Sequence, residues 1–438
     1  MKKHFLYLLI VLIILLACVP TPEQEVVVNK GDDIAGEIIR ETPRTDADTQ
    51  QSVVPFPAHW TDEIHTKDAD MRIDADVIAA SQSSHPVYGI SRTSFFEMDL
   101  QRVFDAFFPS MQSYLVGIRP SREDYEQAIA YVVEKSEEHA QELFSQFNAA
   151  DLTDAAFIQS DHLDLRAQES NHMFTILCTN GEKGTFFSRP AILEINRHAW
   201  SSIQAKEFVE RTGAYAGETN AIVCASLSLD EAKSKADAFF EKMEIDGFAL
   251  CKSEEARLFD SLGYRTWSNG WHLQFCRSGG YVPFQAREFD SSHNGFFTFD
   301  ADEESYAAGW PYEWIDLYVS EQGIEFFKWV NPLKVTGIVN ENVSLLPFDE
   351  LTAVIRRTLQ AAMHYPAHMF GWFKLEKLIL TAAPQPKKDA ADAYLMPIWI
   401  CVIRCYMTDE FGNEDAESIL LTVGFNAVDG TRVDLSAA

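Results

Sequence analysis

Asp300-Ala301-Asp302-Glu303-Glu304-Ser305 gathers four carboxylates into one short stretch, the hard oxygen ligands that calcium requires. It lacks the glycine and distal glutamate of an EF-hand loop, so it reads as a solvated acidic loop with calcium binding as the rival. His364 and His368 stand at i and i+4, the spacing that aligns two imidazoles for zinc, but Pro366 between them disturbs the helix that would do the aligning. Surface histidines at a helix end are the plainer reading. Asp161-His162-Leu163-Asp164, with His172, forms a third grouping that reads as a polar loop. No Gly-x-Ser-x-Gly elbow, recognisable catalytic cysteine, Walker loop or dinucleotide fingerprint is present. A glycosidase-like carboxylate pair cannot be singled out in so acidic a chain. No catalytic residue, metal ligand or cofactor is therefore assigned, and a non-enzymatic role is expected.

Trp310-Pro311-Tyr312-Glu313-Trp314, with Trp267 and Trp271, offers a different chemistry. Exposed, these rings could stack on a peptide or sugar; buried, they fill gaps between a sheet and its helix, which is the expected outcome.

Cys18 has the most definite chemistry. Met1-Lys2-Lys3-His4 is a basic start, Phe5 to Leu16 is an unbroken apolar run, and Ala17-Cys18 follows at once. That run is short for spanning a bilayer and suits a signal peptide. The ending resembles the lipobox of bacterial lipoproteins, in which the thiol takes a diacylglyceryl group before cleavage. Two or three acyl chains, palmitate among them, satisfy the two-signal requirement for stable anchoring. Residues 1–17 are thus expected to be removed, with Cys18 lipidated and the protein held extracytoplasmically on the outer face of the cell membrane. An uncut signal anchor is the rival.

With 47% hydrophobic and 12% aromatic residues over 438 positions, the chain can bury a large core and is too long for one ordinary domain. Loss of Lys2 and Lys3 leaves 34 basic against 66 acidic residues, a formal charge of −32. That argues against nucleic acid and anionic lipid surfaces as partners, and favours solubility, divalent cations or basic partners without identifying one. Cys178, Cys224, Cys251, Cys276, Cys401 and Cys405 show no dense disulfide framework. Buried thiols are expected, with a Cys178–Cys224 or Cys251–Cys276 bridge as the alternative.

The elements that would position these groups recur in one pattern. Residues 18–55 are rich in Pro, Thr, Glu, Asp and Gln and read as a flexible tether; Asp68 to Ile78 alternates as a strand does. Apolar strands near 86–91, 221–225 and 339–346 each feed a helix: Met98 to Phe108, Ser228 to about Met243, and Leu351 to Met363. Ser228 with Glu231 fits a capping box. A further amphipathic helix is expected over Arg122 to Phe147. Strand-rich stretches follow at 263–278 and 312–330, then at 372–381, 394–407 and 417–428, with hairpin turns at Glu321-Gln322-Gly323 and across Asp409 to Asp415. Helix followed by antiparallel strands, repeated, predicts an α+β fold of two or three modules with helices packed on one face of each sheet. The expected modules are 56–218, 219–335 and 336–438.

Ser228-Leu229-Asp230-Glu231-Ala232 with Ala236 resembles the start of a PepSY-type helix, and Leu420 through Asp429-Gly430-Thr431 resembles that family's closing strand and turn. Trp310-Pro311-Tyr312-Glu313, Asn331-Pro332-Leu333, Asn340-Glu341-Asn342-Val343, Leu345 to Glu350 and Tyr394 to Trp399, in that order, are similar to an uncharacterised lipoprotein family of anaerobic Gram-positive bacteria. The resemblance covers most of the chain from about residue 220, together with the lipobox, and implies PepSY-like modules that bind or restrain other proteins. The expectation is a membrane-anchored, non-enzymatic protein-interaction or regulatory module of the cell envelope, with an envelope protein or peptide as partner. The alternatives are a lipoprotein that captures a peptide or carbohydrate, and a hydrolase with an unrecognised carboxylate site.

Overall fold

A computed structural model describes residues 56–435 except 67–68, 81–83, 97, 99, most of 135–170, 207–224, 263–264, 285–309, 363–369, 371, 387–391, 409–413 and 434. The chain opens with β1 (His59–His65), β2 (Asp70–Ile78) and β3 (Val87–Arg92), then α1 (Gln101–Phe107), β4 (Met111–Val116) and α2 (Arg122–Val133). Next come β5 (Ile158–Gln159), β6 (His172–Cys178), β7 (Lys183–Arg189), β8 (Ile192–Asn196) and β9 (Ser201–Ala205). After α3 (Leu229–Met243) follow β10 (Phe248–Asp260), β11 (Thr266–Arg277), β12 (Trp314–Ser320), β13 (Gly323–Val330) and β14 (Leu333–Asn340). The chain closes with α4 (Phe348–Ala362), β15 (Trp372–Pro386), β16 (Asp392–Thr408), β17 (Glu414–Asn426) and β18 (Arg432–Val433).

These strands form two sheets. One runs β5-β4-β6-β7-β8-β13-β12-β11-β10-β9; the other runs β1-β2-β15-β16-β17-β18, with β3 joining β16 to β14. The second sheet is built from both ends of the chain, with β2 and β15 paired in parallel. The expected boundary at 335/336 falls inside β14, and the one at 218/219 lies between β9 and β10, which pair with each other.

The expected α+β fold of PepSY-like modules is corrected by this arrangement. The protein is β-rich, dominated by two large sheets, with four helices among the described residues. The physical reason lies in strand length and pairing. β15, β16 and β17 run 15, 17 and 13 residues and bury both faces over much of their length, so they read as apolar blocks with little alternation to mark their extent. The helices are short patches on sheets that extend well past them.

Locally those patches obey simple rules. Ser228 accepts from the Glu231 N–H while Glu231 accepts from Ser228, and Ala232, Ala236, Phe240 and Met243 then fall on one buried stripe. They meet Leu273, Phe275, Leu317 and Phe327. Leu351, Ile355, Leu359 and Ala362 of α4 do the same over Leu380, Trp399 and Phe425. The turn expected at Glu321-Gln322-Gly323 joins β12 to β13, where Ser320 opposes Gly323. The turn expected across 409–415 lies largely outside the described residues, although β16 and β17 pair antiparallel on either side. α2 keeps the expected start at Arg122; most of its expected continuation to Phe147 is also outside them.

One connection bends the ten-stranded sheet. Laid flat, β8 and β9 would stand roughly 24 Å apart at about 4.8 Å per strand. Asn196 and Ser201 are joined by a link that reaches at most about 18 Å. The sheet therefore curls, and Asn196 Nδ2 donates to the Ser201 carbonyl at 3.2 Å across the corner.

Candidate functional site

The residues singled out for chemistry do not converge. Cys18, Asp161, His162, Asp164, Cys224, Asp300 to Ser305, His364 and His368 all lie outside the described residues. His172 is buried and stacks with the Phe174 ring at 5.8 Å. The aromatic group is scattered. Trp310 sits in the core with Arg92 over its ring, Trp271 donates to the Leu227 carbonyl at 2.9 Å, and Trp267 is exposed. Cys178, Cys251, Cys276, Cys401 and Cys405 are free thiols, so the Cys251–Cys276 bridge does not form. Burial pushes the thiols of Cys401 and Cys405 far above their ordinary range, which leaves them unreactive. Among the described residues no cluster of three or more His, Cys, Asp or Glu side chains could hold a metal ion.

Sequence reasoning also missed several buried ionisable groups. Glu325 takes His198 Nε2 at 2.6 Å and the Ser268 hydroxyl at 2.8 Å. This resembles a catalytic triad, but its order is wrong. The carboxylate stands between hydroxyl and imidazole, so the imidazole cannot take the serine's proton. Burial alone would raise the Glu325 carboxyl; His198, Ser320 and Ser268 outweigh it and hold the carboxyl below the ordinary range. Glu313 is fully enclosed and accepts from Arg277 Nε, Trp329 Nε1 at 3.0 Å and the Leu333 N–H at 2.9 Å. Burial pushes its carboxyl up, against the pull of Arg277. With all these donors committed, Glu313 works as a bolt between the sheets, fixing the start of β14.

β14 is then the notable surface. Leu333 and Asn340 are buried, while Lys334 through Val339 are exposed. β3 pairs with one side of β14, and no described strand pairs with the other. Val335, Ile338 and Val339 are 43%, 59% and 39% exposed. Gly89 of β3 lets the two strands approach: a Cβ there would meet Thr336 Oγ1 at 2.5 Å.

Edges are usually blunted by charge, proline or brevity. β1 carries Asp62, Glu63 and two histidines, while β5 and β18 are two residues long. β14 has Lys334 and register shifts at 335/337 and 338/340 but otherwise offers exposed Val335 and Ile338, paired in register with Ile90 and Tyr88, beside an edge with no described neighbour. A hydrophobic row next to unpaired N–H and C=O groups can accept another strand, with alternate side chains giving specificity.

Neither protein-family models nor curated proteins give a match to the sequence. Among solved structures, an uncharacterised protein from Eubacterium rectale is similar with a TM-score of 0.45 at 11% identity, over 86% of this chain and 94% of that one.

Proposed function

We propose that the chain is an extracytoplasmic lipoprotein, anchored through Cys18 to the outer face of the cell membrane, which acts without catalysis as a protein-interaction or regulatory module of the envelope. The partner lays an extended segment along β14. The observation that carries this reading is the exposure of Val335, Ile338 and Val339 on a strand whose outer edge has no described neighbour. The partner segment presents apolar residues to Val335 and Ile338 and carries net positive charge, because the mature chain's formal charge is −32. A hydrolase reading has less support. Glu254, Glu325 and Asp124 are held below the ordinary carboxylate range, the opposite of what a general acid needs, and Glu313, whose carboxyl burial pushes up, is closed in by Arg277, Trp329 and Leu333.

Photo-crosslinking in intact cells tests this function, with a benzophenone amino acid at Ile338 and, as control, at the equally exposed Val133. A discrete adduct from position 338 that is lost in an Ile338→Pro or Gly337→Pro chain supports strand addition. Identical adducts from both positions refute it. Labelled palmitate entering the wild-type protein but not Cys18→Ala tests the anchor; equal labelling of the two removes it.

A further inference from the structure

Lys334, Val335, Thr336, Gly337, Ile338 and Val339 are all exposed. Successive residues of a strand point to opposite faces, so no described element covers either face of β14. Its neighbour differs: Val87, Gly89 and Ile90 of β3 are buried. The sheet therefore leaves the core within the width of one strand.

One face of that projecting strand continues a core. Ile90, with Tyr88 packed beside it, belongs to the apolar cluster under Leu351, Ile355 and Leu359 of α4. Val335 stands in register with Ile90, and Ile338 with Tyr88. Residues opposite each other in a ladder share a face, so Val335 and Ile338 carry that apolar surface past the point where α4 shields it. The other face carries Lys334, with Thr336 and Val339 leaning over Gly89, where a Cβ would meet them at 2.5 and 3.3 Å.

These two faces decide what kind of partner fits. A strand is stable when a second layer covers its apolar face. A loose peptide paired with β14 would lie beside Val335 and Ile338 and leave their face as open as before. It would also lose the backbone freedom of every residue it ordered. A standard specific interface takes about 20–30 residues from each side, and β14 exposes six. The missing layer has to arrive with the partner.

We propose that the partner is a folded domain with an open sheet edge and an apolar layer behind it, an inference that rests on the strand-addition reading. Its edge strand extends the sheet β16-β3-β14, and its own helix or second sheet closes over Val335 and Ile338. A second copy of this chain does not meet the need. Its β14 is equally bare, so two such strands side by side leave both apolar faces uncovered, and each copy brings a formal charge of −32. A folded domain with a basic surface is attracted by that same charge.

The test places a benzophenone amino acid at Ile338 and, in a separate full-length chain, at Lys334, so that the two faces are read in intact cells. The crosslinked partner segments are then mapped by mass spectrometry. Both positions should capture one protein through two segments far apart in its sequence, its edge strand and its covering layer. A synthetic peptide of the captured strand should compete at least about tenfold more weakly than the intact partner, roughly the effect of leaving Val335 and Ile338 uncovered. One contiguous segment captured from both positions, or a peptide that competes as well as the intact partner, overturns the folded-domain inference and leaves strand addition standing. Adducts between two copies of the chain overturn it as well. No adduct at either position removes strand addition itself, and this inference with it.

Discussion

His272 allows a quantitative test of how the curled sheet is held. It lies on β11 directly opposite Glu254 of β10, with Nδ1 2.9 Å from Glu254 Oε1, while Asp316 of β12 is 3.6 Å from Nε2. The second distance is beyond hydrogen-bond reach, so Asp316 acts through its charge. Burial alone would lower the imidazole's pKa; the Asp316 and Glu254 carboxylates outweigh it and raise it from 6.5 to about 9. That rise corresponds to about 3 kcal/mol between protonated and neutral forms, as an order of magnitude. The folded state keeps the proton where the unfolded state has lost it. The contribution is therefore complete below pH 6.5 and is lost as pH rises through about 9. Other groups also titrate in alkali, so the measurement is the stability difference between wild type and His272→Gln, taken from urea unfolding at pH 6, 8 and 10. The difference should be largest at pH 6 and shrink by about 3 kcal/mol by pH 10. A difference independent of pH would refute a buried imidazolium between those carboxylates.

Two further substitutions test register and capping. Gly270→Ala places a Cβ 2.2 Å from the Val319 carbonyl oxygen, backbone that can yield only by parting β11 from β12. A loss of about 1–3 kcal/mol in urea unfolding is expected, and an unchanged midpoint would contradict the β11–β12 pairing. Ser228→Ala removes the acceptor for the Glu231 N–H at the start of α3 and should cost about 1 kcal/mol by the same measurement. No loss would mean that α3 does not depend on its capping box.

What could be read in the sequence was local. Ser228 and Glu231 announced α3, and Glu321-Gln322-Gly323 announced its hairpin, because capping and turn chemistry act over three or four residues. The sheets were not legible in the same way. β2 pairs with β15 and β3 with both β14 and β16, contacts between segments some 250 to 300 residues apart that no periodicity records. The apolar stretch from Ile398 to Cys405 identified a strand but not its 17-residue length. β14 was not legible: the strand expected near 339–346 overlaps only its last two residues, the boundary expected at 335/336 cuts through it, and its edge is defined by having no described neighbour. Trp267 was noted beside four other aromatics; only the curl of the sheet separates it from them and sets it against His198. Glu313 drew attention within an aromatic run, but its role depends on Arg277 and Leu333, brought to it by the junction of the two sheets.

Amide hydrogen exchange over residues 334–339 of the purified mature protein bears most directly on the interaction role. With β3 on one side and no described strand on the other, the β14 amides should divide into two classes: those directed at β3 protected, and those directed outward exchanging close to the rate of free peptide. Uniformly slow exchange along the strand would mean that the edge is already covered by its own chain, leaving no place for a partner segment.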